Sequence, residues 1–255
     1  MAKRIESVQN ALVKHWKKLI TTRKERDRSE EFIVEGFHLV EEAMKQEGAV
    51  LHVMVREDLE LPAGLDLSSV QHIEITKAVA AEISETEHPQ GIFAHCRQPI
   101  PSEEEYAGWK RLLLIDAVQD PGNIGTMIRT ADAAGMDAVI LGKGCADPFN
   151  PKTVRSAQGS HFHIPVVRGD LTEWIGRAKG NGVQVIGTGL DQAKEHYDVQ
   201  ASDAFALLVG NEGAGVAADY LSAADTVVKI PLYGQAESLN VAVATGILLY
   251  AFARR

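Results

Sequence analysis

Apolar and polar positions alternate in two different ways along this chain. In the second half, apolar runs at 112–118, 137–141, 162–167, 183–188, 204–209 and 226–231 are separated by stretches with helical spacing: Ile124–Ala134, Pro151–Gln158, Leu171–Lys179, Val216–Ala223 and Leu239–Phe252. Near-continuous apolar strands joined by helices predict a largely parallel sheet covered on both faces. Asn150 followed by Pro151 is a cap with proline at the first helical position, a strong start signal. The first half reads as a smaller α/β module. A basic helix over Val8–Leu19 leads to a strand at 32–36 and a helix at Phe37–Gln46. Strands at 51–55, 70–75 and 91–96 follow, with a helix at Lys77–Ser84. Pro99, Pro101 and the run Glu103-Glu104-Glu105 form a breaker-rich connector. The expected division is therefore 1–100 and 106–255.

Composition adds limits. The 255 residues are 45% hydrophobic, enough for an ordinary core. No N-terminal segment reads as a signal peptide, and the longest mostly apolar run, Val241–Ala253, is too short to cross a bilayer, so a cytoplasmic protein without membrane contact is expected. Cys96 and Cys145 are far apart and lack metal-ligand spacing, which predicts reduced structural thiols and no metal site. A net charge of −9 argues against nucleic acid, but the distribution is uneven: residues 1–28 hold nine Lys/Arg against three acids, and 29–100 hold four against fourteen. Lys14, Lys17, Lys18, Arg23, Lys24, Arg26 and Arg28 are either a solvated helix face or a phosphate-tracking surface.

Three polar corners follow apolar strands in the second half. The first is Asp120-Pro121-Gly122-Asn123-Ile124-Gly125-Thr126-Met127-Ile128-Arg129-Thr130-Ala131. Asn123 suits a helix cap, and Arg129, between Ile128 and Ala131 in a mostly apolar helix, calls for an anion. The second, Leu207 to Val216, carries Gly210, Gly213 and Gly215. Their GxxGxG spacing is neither the dinucleotide fingerprint nor a P-loop. Glu212 inside it is a loop-stabilising acceptor or a substrate contact. The third runs from Ile230-Pro231-Leu232 to Ser238-Leu239-Asn240 and Ala244. Capping accounts for Ser238, whereas Asn240, then on the first turn, is a poor interior helix residue and hints at a further role.

Together, in this order and spacing, the three corners resemble the signature motifs of the SpoU (TrmH-type) branch of the SPOUT RNA methyltransferases, over about 145 residues from Arg111 onward. Pattern alone would suggest a Rossmann-like open sheet. The resemblance instead implies a SPOUT-type α/β domain whose C-terminal chain forms a deep trefoil knot. Phe32-Ile33-Val34-Glu35-Gly36 and Glu87-His88-Pro89-Gln90-Gly91-Ile92 look like the ends of the ribosomal-protein-like, RNA-substrate-binding domain that precedes it in many such enzymes. The implied cofactor is S-adenosylmethionine, contacted by Val209, Gly210, Ile230, Leu232, Ser238 and Leu239, with Thr188 and Gly189 in the same cleft. The implied catalytic group is Asn123, Arg129, Glu212, Ser238 and Asn240. The implied reaction is in-line methylation of an RNA ribose 2′-hydroxyl, with ribosomal RNA favoured over transfer RNA, by a homodimer paired through the C-terminal domain. A guanidinium is a poor base at neutral pH, so Arg129 is expected to position substrate rather than take its proton. A non-catalytic RNA-binding protein of the same fold and a Rossmann oxidoreductase are the competing readings; the first conflicts with the intact polar residues of the three corners, and the second lacks its glycine fingerprint.

Overall fold

The computed structural model describes residues 3–62 and 64–253. The chain forms two compact units, one running to Pro99 and taking in Phe149–Phe162, the other made of Ile100–Pro148 and the chain from His163 onward.

In the first unit, β1 (Lys3–Ile5), α1 (Ala11–Thr21), α2 (Arg23–Ser29), β2 (Glu31–Glu35), α3 (Phe37–Met44), β3 (Val50–Arg56), β4 (His72–Ile75), α4 (Lys77–Glu82) and β5 (Ile92–Arg97) build a mixed sheet in the order β1-β4-β3-β5-β2. α1 begins where the Asn10 side chain accepts from the Leu12 amide, and it buries Val13, Trp16, Leu19 and Ile20 against Ile33, Met54, Ile73 and Phe93. α2 has no apolar periodicity. It is held by Arg26, which turns inward and donates to the Leu19 and Ile20 carbonyls at 2.5 and 2.9 Å, satisfying the C-terminal end of α1. Arg26 is thus only 2% exposed and leaves the expected phosphate-facing surface. Lys17 pairs with Glu82, Arg23 with Asp27 and Arg28 with Glu25, while Lys14 and Lys18 stay exposed one turn apart.

The two segments that resemble a substrate-binding domain meet at one turn. Gln90 Oε1 accepts from the Phe37 amide, and its side chain lies so close to Gly36, at φ +102°, that a β-carbon there would sit 3.0 Å from it. The Glu35 carboxylate accepts from the hydroxyls of Ser84 and Thr86 at 2.8 and 2.9 Å.

Beneath α1 lies a polar network. Glu31 accepts from the ring nitrogens of His15 and His95 at 2.6 and 3.0 Å. Trp16 Nε1, which can only donate, faces His95 Nδ1 at 3.3 Å, so that nitrogen accepts and Nε2 keeps its proton toward Glu31. His15, Glu31 and His95 gather three ligand-type atoms within 4.8 Å, joined here as a hydrogen-bonded network. Burial pushes His95 down to about 4. Burial alone would raise the Glu31 carboxyl, but its bonds to the two histidines hold it below the usual range.

The second unit starts with α5 (Glu103–Gly108), β6 (Arg111–Ile115), α6 (Pro121–Ala133) and β7 (Ala138–Leu141). The acidic run read as a breaker is the first turn of α5: Ser102 and Glu105 form a capping box, and carboxylates suit a helix N-terminus. The chain then returns α7 (Pro151–Ala157) to the first unit, where Phe149, Val154 and Phe162 pack with Phe32. The predicted strand at 162–167 is therefore split. Ser160–Phe162 forms a single 3₁₀ turn, Phe162 stacks on Phe32 at 5.8 Å, and pairing starts only after Pro165.

The second unit continues with β8 (Val166–Arg168), α8 (Leu171–Gly180), β9 (Gln184–Thr188), β10 (Lys194–Glu195), β11 (Phe205–Val209), α9 (Ala218–Ala223), β12 (Thr226–Lys229) and α10 (Val241–Phe252). Its seven strands run parallel in the order β10-β12-β9-β11-β6-β7-β8. Both faces are buried, as the apolar runs require. Leu112, Leu114, Ala206 and Leu208 pack with Leu171, Trp174 and Ile175, while α10 lies on α6 and β11 with Phe252 against Phe205. Cys96 and Cys145 are buried and free, and burial pushes the Cys145 thiol up to about 11, which removes it as a nucleophile at neutral pH. No helix of the described residues is long and apolar enough to cross a membrane.

Candidate functional site

Parallel strands end together, and that carboxyl edge is where open α/β sheets bind ligands. The register aligns Ile115 of β6 with Val209 of β11, Leu208 with Gly187 of β9, and Thr188 with Val228 of β12. All three motif corners leave the sheet at this edge. Thr188 Oγ1 donates to the Leu208 carbonyl at 3.1 Å, and the Gly189 amide to Val228 at 3.0 Å, so both are tied into the sheet at its rim. Val209 is buried at the end of β11.

One hydrogen-bonded chain joins the corners. Asp120, not Asn123, is the N-cap of α6; its Oδ1 accepts from the Asn123 amide at 2.9 Å, and Pro121 takes the first helical position. The Asn123 side chain is therefore released from capping. Its Nδ2 donates to Glu212 Oε1 at 2.8 Å and its Oδ1 accepts from Asn240 Nδ2 at 3.0 Å. Asn240 in turn is the N-cap of α10, which starts at Val241: its Oδ1 accepts from the Ala242 and Val243 amides at 2.9 and 3.2 Å. The expectation that Asn240 sits inside the first turn is thus corrected, and its helix propensity is no longer anomalous. The cap also sets the direction of the whole chain. Backbone amides only donate, so Asn240 must turn its oxygen to them and its NH₂ outward. Asn123 must then accept from Asn240 and donate onward, and the carboxylate at the end accepts.

Glu212 is presented by a loop that closes on itself. Asn211 and Gly215 exchange backbone hydrogen bonds at 3.0 and 2.9 Å, and the Asn211 Oδ1 accepts from the Gly213 and Ala214 amides. A β-carbon on Gly210 would lie 2.2 Å from the backbone of Gly215 and Val216, so the two ends of the loop cross where only glycine fits. Two ties anchor the loop to the end of β6. Asn211 Nδ2 donates to the Ala117 carbonyl at 2.9 Å, and the buried Asp116 carboxylate accepts from the Ala217 amide at 2.9 Å. Ala117 has φ +52°, a left-handed conformation unfavourable for a residue with a β-carbon. The sequence reading missed Asp116, Asn211 and Ala117. Asn211 was visible as an amide between Gly210 and Glu212, but nothing in a linear pattern reports a bond across 94 residues.

The remaining candidates surround this chain without joining it. Arg129 is exposed on α6 and makes no ion pair or hydrogen bond among the described residues. Six residues separate it from Asn123, which places the two side chains about 120° apart around the helix and about 9 Å apart along it. Arg129 instead shares an exposed stripe with Thr126. Ser238 is exposed in the segment before α10 and makes no hydrogen bond among the described residues. Ile230 is half-buried, whereas Leu232 and Leu239 are 40% and 38% exposed, apolar side chains left uncovered on either side of Gly234–Ser238. A glycine loop, open apolar side chains and neutral amides fit S-adenosylmethionine, whose adenine needs apolar cover and whose polar groups need uncharged partners.

Comparison with known proteins gives the same answer by an independent route. Residues 110–250 match the model of the SpoU rRNA Methylase family, and 10–94 match that of the MRM3-like substrate binding domain. The chain is 53% identical, over 97% of its length and 98% of the relative's, to the 23S rRNA (guanosine(2553)-2′-O)-methyltransferase RlmP of Bacillus subtilis. It is 32% identical to the 23S rRNA (uridine(2479)-2′-O)-methyltransferase of Streptomyces viridochromogenes, over all of this chain and 93% of that one. Among solved structures, an AdoMet-bound rRNA methyltransferase from Sinorhizobium meliloti superposes with a TM-score of 0.87 at 31% identity, covering 98% of this chain and 97% of that one. With its three corners joined at the edge of a parallel sheet and both parts of its length matched, the chain belongs to the SpoU rRNA methylase family.

Proposed function

We propose that this protein methylates a ribose 2′-hydroxyl of 23S ribosomal RNA, at the nucleotide equivalent to the guanosine modified by the Bacillus subtilis relative. Identity of 53% over nearly the full length of both chains, the substrate-binding unit included, supports that substrate. The observation that carries the chemistry is the chain Asn240–Asn123–Glu212, which draws one residue from each corner into a single polar unit.

S-adenosylmethionine supplies an activated methyl group on its sulfonium. With the leaving group already good, the protein's task is alignment and removal of the hydroxyl proton. Val209, Gly210, Ile230, Leu232, Ser238 and Leu239, with Thr188 and Gly189 at the sheet rim, hold the cofactor. Of the linked residues, two are amides and cannot take up a proton; Glu212 can, and one of its oxygens is not engaged by Asn123. In this reading Glu212 accepts from the 2′-hydroxyl, Asn123 and Asn240 fix its orientation, and the exposed guanidinium of Arg129 binds the phosphate beside the target ribose. Ser238, exposed just before α10, contacts cofactor and ribose in this reading.

Two further features belong to this reading. The exposed apolar stripe Val243, Ile247 and Tyr250 on α10 supports a homodimer through the second unit, and the trefoil knot that the resemblance implies would be formed by the chain after the second corner. A cytoplasmic location follows from a ribosomal RNA substrate. Arg129→Ala tests the mechanism: we expect methyl transfer to 23S RNA to fall at least about 100-fold while calorimetry shows S-adenosylhomocysteine affinity little changed. A variant with near-normal turnover contradicts the assignment.

A further inference from the structure

The carboxylate of Glu212 is exposed, on a loop rich in glycine, yet it must meet Asn123 at hydrogen-bond distance. Glycines allow a loop many conformations, so something must choose this one. The Asn211 side chain uses both ends of its amide for that purpose. Its oxygen gathers the Gly213 and Ala214 amides at 2.9 and 3.1 Å, closing the turn around Glu212. Its nitrogen donates to the Ala117 carbonyl at 2.9 Å, fastening that turn to the segment between β6 and α6. Ala117 is three residues before the Asp120 cap that releases Asn123. The same short segment therefore fixes both partners of the Asn123–Glu212 bond: through Asp120 it sets Asn123, and through Ala117 and Asn211 it sets Glu212. The left-handed backbone of Ala117, at φ +52°, supports this, since such a conformation persists in a non-glycine residue only where its surroundings impose it.

We propose that Asn211 is a positioning residue for methyl transfer, acting through Glu212 by tying the glycine loop to the Ala117 carbonyl. The proposal rests on the role given to Glu212 above. Asn211 acts on the carboxylate, holding Glu212 where the Asn240–Asn123 chain can orient it.

A double-mutant cycle on the full-length protein tests this, with 23S RNA as substrate and S-adenosylhomocysteine binding measured by calorimetry. Asn211→Asp keeps the acceptor for the loop amides but turns the donor to Ala117 into an oxygen that repels that carbonyl, so it breaks the tie while sparing the loop's internal bonds. Asn211→Asp is expected to lower kcat by about 10-fold to 100-fold, with KM for the methyl donor and affinity for its product within about 3-fold. In the Glu212→Ala background the same change is expected to have no further effect, because the group it positions is gone. Ala117→Val, which moves the carbonyl without altering Asn211, is expected to reproduce the kcat loss. The proposal is overturned if the two losses multiply, or if kcat and product affinity fall in proportion, as they would for a general role in loop folding. It is also overturned if Asn211→Asp keeps normal kcat while Glu212→Ala loses most of its own. Activity retained by Glu212→Ala itself contradicts the reading of the site as well, which separates the two failures.

Discussion

At the scale of single residues, Asn240 shows two duties that one substitution can separate. Its oxygen caps α10 and its nitrogen orders the polar chain. Aspartate is an equally good cap but has no NH₂ to give Asn123. Asn240→Asp is expected to leave the unfolding free energy within about half a kcal/mol of wild type while lowering kcat, whereas Asn240→Ala loses the cap as well, at about 1 kcal/mol. Equal kcat in wild type and Asn240→Asp, measured beside a denaturant titration, would count against the chain as the organising feature. The candidate residues themselves were legible in the sequence, because polar side chains at strand ends are a local signal. Their geometry was not. Asn123 looked like a cap, and only the structure places Asp120 there and turns the Asn123 amide toward partners 89 and 117 residues away.

At the scale of elements, the second half was legible because parallel strands buried on both faces leave unbroken apolar runs. What escaped were elements that lack such a signature. β1 is three residues, two of them cationic; α2 has no apolar face and depends on one buried arginine; α5 opens with three carboxylates that resemble a loop until Ser102 caps them. The strand ending at 167 misled because Phe162 is apolar for packing on Phe32, not for pairing in the second sheet. α10 was legible and carries a consequence. It is apolar all round, and Val243, Ile247 and Tyr250 recur at helical spacing with 53%, 39% and 56% of their surface exposed. Ile247→Glu puts a charge in the centre of that stripe, so light scattering at micromolar concentration is expected to show a dimer for wild type and a monomer for the variant. A wild-type monomer removes the dimer from the account.

At the scale of the whole molecule, one buried histidine gives the first unit a pH dependence between about pH 6.5 and 4. His95 is buried on β5 with its pKa lowered to about 4 against an ordinary value of 6.5, chiefly by burial. The unfolded chain therefore takes up a proton below about pH 6.5 that the folded chain refuses until about pH 4. Above 6.5 His95 contributes no pH dependence; as pH falls through this window it destabilises the fold, by at most about 3 kcal/mol. Denaturant titrations at pH 7.5 and 4.5 are expected to show that loss, and His95→Asn, which does not titrate, is expected to reduce it. An unchanged slope in the variant assigns the effect to other groups.

Whether the joined corners methylate one ribose of 23S RNA is decided on RNA lacking that modification. Ribosomal RNA from cells without the enzyme would be incubated with the purified protein and labelled S-adenosylmethionine, then digested and mapped by mass spectrometry. A single 2′-O-methylated nucleotide is expected, at the position equivalent to guanosine 2553, the one modified by the Bacillus subtilis relative. Glu212→Ala is expected to label the same nucleotide at a rate at least about 100-fold lower. Methylation on a base, on transfer RNA alone, or undiminished in Glu212→Ala would contradict the proposed function.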